Sequence, residues 1–141
     1  MTTANKTLLN PFLPEGIIDI HVLNSKELRQ SAMAFAKAAL TNIIIENPTF
    51  GIPIVLTHQG LKNTINESRE NYVHKILALT CLPVIIETAK FICTEPDKNG
   101  KPNICIHRFL SAVEVEGVAY TVWIIVKQTP DRTYMYDYGL K

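Results

Sequence analysis

The hydrophobic pattern changes its period along the chain, and each change marks an element. After Gly16, Ile17 to Leu23 alternate at period two with many β-branched residues, which predicts a strand. Asn24 followed by Glu27 has the form of a capping box. Leu28, Ala32, Phe35, Ala39 and Ile43 then recur at helical spacing, so residues 25–45 are expected as one amphipathic helix, stopped by Asn47-Pro48. Residues 52–57 read as a short strand, with Pro53 placing it at a sheet edge or a strand start. Helical stretches follow over 61–79, broken near Ser68, and over 80–89. In the second, Thr80 is the expected N-cap, Pro83 sits in the first turn, and Leu82, Ile85, Ile86 and Ala89 form the apolar side.

From Phe91 onward the period is two. Residues 96–101 form a turn cluster, and 104–115 and 118–127 flank Glu116-Gly117, a two-residue hairpin loop. A further turn at 129–131 leads into a strand over 134–138. The expectation is an α+β fold: an N-terminal strand and helices, then a C-terminal antiparallel β-meander with the helices packed on one face. Residues 1–15, with Pro11 and Pro14, read as an extended arm, and 16–141 as a single domain.

The hairpin sets a register. If Val115 opposes Val118, then Val113, Ser111, Phe109 and His107 oppose Tyr120, Val122, Ile124 and Val126 on a mainly apolar face turned to the helices. The other face pairs Ile106, Arg108, Leu110, Ala112 and Glu114 with Lys127, Ile125, Trp123, Thr121 and Ala119. With Met135 in the core, Tyr134, Tyr136 and Tyr138 would join Trp123 there. Such a face offers cations for phosphates and rings for bases, as RNA recognition requires, although an ordinary solvated face has the same composition.

Composition narrows the class. The 141 residues are 47% apolar and 19% charged, so the chain can bury a core. Its 14 Lys and Arg against 13 Asp and Glu give a net charge of +1, which excludes a strongly basic nucleic-acid coat or a polybasic membrane anchor. The most apolar stretch, residues 32–45, is interrupted by Lys37 and Asn42 and falls short of the ~20 residues a bilayer needs, so no membrane partner is expected. The start Met-Thr-Thr-Ala-Asn-Lys has no apolar leader, which makes the cytoplasm the default compartment. Cys81, Cys93 and Cys105 are odd in number and widely spaced, reading as small buried hydrophobes rather than disulfides or zinc ligands. Motifs for phosphate loops, dinucleotides, zinc proteases and serine hydrolases are absent, and no cofactor is expected.

The order of motifs in the second half carries a resemblance. Ile54-Val-Leu-Thr57, Gly60-Leu-Lys62, Leu82-Pro-Val-Ile-Ile-Glu-Thr-Ala89 and Glu95-Pro-Asp-Lys-Asn-Gly100 are followed by the hairpin from His107 to Trp123 and by Tyr134-Met-Tyr-Asp-Tyr138. Over about residues 52–140 this resembles phage and mobile-element domains grouped with the barnase–EndoU–colicin E5/D–RelE-like nucleases, often found in large polyvalent proteins. The resemblance implies metal-independent RNA cleavage in which the 2′-OH attacks the adjacent phosphate. That chemistry needs a base, an acid and donors on the phosphate. Related domains often carry a histidine shortly after the Gly-x-Lys turn and a His or Tyr in the last strand; here Asn63 follows the turn, and the last strand offers Tyr136, Asp137 and Tyr138.

The candidate catalytic residues are His58, Arg108, Thr121 and Tyr136, with Lys62, Trp123, Lys127, Tyr134 and Tyr138 as substrate-binding residues. His58 and Lys62 flank the Gly60 bend, where an exposed loop histidine and an exposed helical lysine are the plainer readings. His107 is expected as a satisfied core or rim histidine, and His74 as a surface partner of Glu67 and Glu70. Asp19 and His21 share a strand face, but two ligands do not make a metal site and no third lies at useful spacing. Two functions follow. The first is a ribonuclease, in a toxin-like form with an inhibitory immunity protein as partner. The alternative is a non-catalytic module that uses the same sheet face or the N-terminal arm to hold a protein or nucleic acid, a reading supported by the near-neutral charge and the missing histidines.

Overall fold

The computed structural model describes Thr2–Ala4, His21, residues 23–67 and residues 70–141. The predicted strand over 17–23 and most of the N-terminal arm lie outside these residues. Within them, Thr2–Ala4 form a short strand, β1, and His21 and Leu23 are not in a strand.

Helix α1, Ser25–Phe35, starts as the capping box requires. The Asn24 side chain accepts from the Glu27 N–H at 2.9 Å, and the Glu27 carboxylate accepts from the Asn24 N–H at 3.0 Å. The helix widens into a π-type turn over Ala36–Leu40 and ends there, short of the predicted residue 45. Asn42 takes a positive φ of 70°, and Ile44–Ile45 become strand β2. Asn47 does not stop this helix. It is buried, and its side-chain amide donates to the carbonyls of Ile86 and Ala89 at 2.9 and 2.8 Å, tying the chain to another helix end.

Strand β3, Ile54–Val55, lies between β2 and the C-terminal strand β7 (Thr133–Leu140), so it is interior rather than an edge. Pro53 precedes the paired residues and so costs the ladder no donor. Helix α2, His58–Asn66, has Thr57 as N-cap, its hydroxyl accepting from the Gly60 N–H at 3.0 Å. After Asn71 (φ 61°) the chain forms α3, Tyr72–Leu77, a 3-10 turn over Ala78–Cys81, and α4, Leu82–Thr88. The N-cap of α4 is Cys81 rather than Thr80, and Pro83 sits in its first turn, where its missing N–H has no cost.

The C-terminal meander is β4 (Lys90–Pro96), β5 (Cys105–Val115), β6 (Val118–Gln128) and β7. Among the described residues the sheet has seven strands: β5-β6-β7-β3-β2 in order, with β4 and β1 one after the other along the remaining edge of β5, β4 against Cys105–Leu110 and β1 against Val113–Val115. The meander is antiparallel, while β1 with β5 and β3 with β7 are parallel pairs, giving an α+β fold with a mixed sheet. The β5–β6 register is the predicted one, from Val115 opposite Val118 to His107 opposite Val126. Glu116 and Gly117 both take positive φ, 49° and 81°, as a tight right-twisting hairpin turn demands. The inner face, with Phe109, Val113, Val122, Ile124 and Val126, packs on Leu28, Leu61, Ile65, Leu79 and Ile85 from the helices.

One register shift alters the tyrosines. A bulge between β6 and β7 sets Val126 opposite Met135 and Ile125 opposite Asp137, leaving Tyr136 as the extra residue. The alternation therefore skips once, and Tyr138 comes opposite Ile124 in the core, fully buried. This corrects the expectation that all three tyrosines share the outer face.

Candidate functional site

The outer face of the meander holds a cleft of about 220 Å³. Ile106 and Ile125 form its floor, Arg108, Lys127 and Tyr136 its sides, and the turn Asp97–Asn99 one wall. Each wall has a local cause. Arg108 and Lys127 point outward by strand parity, and the bulge turns Tyr136 out beside them, 39% exposed, with the Lys127 Nζ 5.4 Å from the ring centroid. Arg108 is held by Glu95 on β4: its Nε donates to Oε1 at 3.0 Å, which keeps the Glu95 carboxyl below the ordinary carboxylate range. Next to the cleft, Ile92, Leu110, Trp123 and Ile125 line an apolar hollow.

Of the predicted set, Arg108, Lys127 and Tyr136 meet in this cleft. Tyr134 sits beside it opposite Lys127 but is nearly buried, its ring covered by the Arg132 guanidinium at 4.5 Å. Trp123 is further along the face, its ring laid on Gly139, where a Cβ would be 2.2 Å from a ring carbon. Thr121 faces outward near the hairpin end, its backbone paired with Lys141. His58 and Lys62 are exposed on α2, in the helical layer, and so are not gathered with Arg108 on the outer face. The Gly60 bend is a packing device: Gly60 lies against the Met135 carbonyl of β7, with no room for a side chain. Tyr138 binds nothing outside; its hydroxyl donates to the Lys75 carbonyl, and burial pushes its phenol well above the usual range.

His107 is the core histidine its parity predicts. It is buried, with Nδ1 2.7 Å from the Thr94 hydroxyl and Nε2 2.7 Å from Gln128 Oε1, and the Phe50 ring packs edge-on against it. His74 differs from expectation. The break at Asn71 takes α3 out of phase with α2, so His74 does not pair with Glu67 or Glu70 along a common helix face. Instead its Nδ1 is 2.5 Å from the Tyr120 hydroxyl and its Nε2 3.1 Å from Glu116 Oε1. His21 Nε2 lies 2.6 Å from the same carboxylate oxygen. Burial, and then the Glu116 carboxylate, push the Tyr120 phenol up. This second group joins positions 21, 74, 116 and 120, and sequence spacing alone carries no trace of it.

Helices on one face of a bulged antiparallel meander, with an open cleft on the other, define a small α+β domain with a surface site. The chain belongs to the family described as large polyvalent protein-associated domain 3, whose model matches residues 24–136. It is thus a domain of the kind associated with large polyvalent proteins of phages and mobile elements. The match runs from the cap of α1 to Tyr136 and takes in the whole cleft. No curated protein and no solved structure matches the chain. Among the described residues, no helix is long and apolar enough to cross a membrane.

Proposed function

We propose that the domain is a non-catalytic binding module that holds single-stranded RNA in the outer cleft. The observation that carries this reading is the bulge that turns Tyr136 out between Lys127 and Arg108: a ring for a base beside cations for phosphates. Among the described lining residues none is a histidine, which favours holding the chain over cutting it. Arg108 is shared with Glu95, so Lys98 and Lys127 supply most of the charge; neutralising about two phosphates gives a slope of log K on log salt of roughly −1.4.

Fluorescence anisotropy with a labelled RNA oligomer tests this. Lys127→Ala should lower the salt slope by about 0.7. Tyr136→Ala should weaken binding by about 1–3 kcal/mol at unchanged slope. His58→Ala, in the other layer, should change neither. Undetectable RNA binding, or a Tyr136→Ala variant equal to wild type, would refute the reading. Metal-independent RNA cleavage is the second reading, favoured by a guanidinium and a phenol sharing one cleft, with an inhibitory protein as the partner that would cover it. It requires wild-type protein to cleave total RNA in chelator and Tyr136→Phe to lose that activity; inert wild-type protein removes it.

A further inference from the structure

The geometry points to a divalent transition-metal site formed by His21, His74 and Glu116, apart from the outer cleft and independent of RNA binding. One possible ligand atom from each residue lies within 4.8 Å of the others, at the hairpin end of the sheet. Two imidazoles and one carboxylate are a donor set for zinc or ferrous iron and a poor one for magnesium or calcium, which need mostly oxygen. Ligands about 2.0–2.1 Å from a tetrahedral ion stand roughly 3.3 Å apart. His74 Nε2 and Glu116 Oε1, at 3.1 Å, are already near that spacing, and His21, exposed on its flank, has only to retreat from 2.6 Å by a fraction of an ångström.

Two features show that the group is supported. Tyr120 holds the far nitrogen of His74, as outer partners of metal-bound histidines do, and a phenol can serve as donor or acceptor whichever tautomer the ring adopts. Glu116 occupies a left-handed turn position that Asn or Gly fills at less cost, so the local backbone does not explain a glutamate there. Both histidine Nε2 atoms aim at one carboxylate oxygen, and an ion would replace the protons that bridge them. Both histidines also line a surface hollow with Asn71 and Tyr72, from which water or a small anion could complete the coordination of an ion held by three protein ligands.

The test is titration of the full chain with Zn²⁺ alone by calorimetry, in two buffers of different ionisation enthalpy, and with Co²⁺ by visible absorption. The expected result is one equivalent bound with proton release, tetrahedral Co²⁺ bands without thiolate charge transfer, and no binding of Mg²⁺. His21→Ala and Glu116→Gln should weaken binding more than about a hundredfold, and Tyr120→Phe by about ten- to a hundredfold. His21 is exposed, so His21→Ala should keep the fold, and circular dichroism checks each variant. Failure of the wild type to bind Zn²⁺, binding unchanged in His21→Ala, or thiolate bands from the cysteines would overturn the proposal.

Discussion

Gly60→Ala inverts the usual effect of that substitution. Within a solvent-facing helix, alanine in place of glycine stabilises by about 1 kcal/mol. Here the added Cβ would lie 2.1 Å from the Met135 carbonyl oxygen and 3.2 Å from the Thr57 hydroxyl that caps the helix. The carbonyl cannot step aside, because Met135 is paired with Val126 in the sheet. Relief requires α2 to lift by roughly 1 Å, loosening Leu61 and Ile65, both fully buried, and overpacking of this kind costs about 1–3 kcal/mol beyond any propensity gain. The expected net change is a destabilisation of about 2 kcal/mol, a fall in Tm of roughly 6–10 °C. Urea unfolding followed by circular dichroism measures it. A variant as stable as wild type, or more stable, would show that α2 does not press on β7 and would refute the packing described.

Lys75 is buried beneath β7, its ammonium donating to the Thr64 carbonyl at 2.7 Å, with Asp137 Oδ1 at 3.8 Å. Lys75→Met removes that cation beside a buried carboxylate and should cost about 3–5 kcal/mol; Asp137→Asn in the same chain should return part of it. A loss below about 1 kcal/mol in urea unfolding would rule out a buried pair. Burial pushes the Tyr72 phenol, which donates to the Ile65 carbonyl, up to about 12, against a weaker opposing pull from Arg29, and holds the Tyr138 phenol well above its ordinary value. The folded state thus keeps these protons longer than the unfolded chain does. Their contribution is complete below about pH 10 and is lost as pH rises through the folded values. Stability measured against pH should fall from about pH 10 upward, less steeply in Tyr138→Phe; a flat profile up to pH ~12 would contradict the burial of these phenols.

Local pattern carried the fold class far. Period-two alternation with an unambiguous Glu116-Gly117 turn determined the β5–β6 register residue by residue, because a two-residue loop admits one pairing and parity then assigns every face. The same parity placed Arg108 and Lys127 outward and His107 inward, and the capping box located the start of α1. Helix ends were less legible. Ile43 to Ile45 extend a helical repeat, yet Asn42 takes a positive φ that breaks the helix, and pairing with β3 recruits Ile44 and Ile45 into β2.

The tertiary structure decided what depends on residues distant in sequence. A single bulge opposite Ile125 and Val126 separated Tyr136, which faces the cleft, from Tyr138, which fills the core, and a bulge leaves no mark in periodicity. Gly60, in a stretch that resembles a functional loop, is instead the point where a helix touches a strand backbone. His21, His74 and Glu116 are 42 and 95 residues apart in their contacts, so no spacing rule could join them. Alternation and turns are local and therefore written in the chain, whereas sites assembled across the core exist only once packing has brought their parts together.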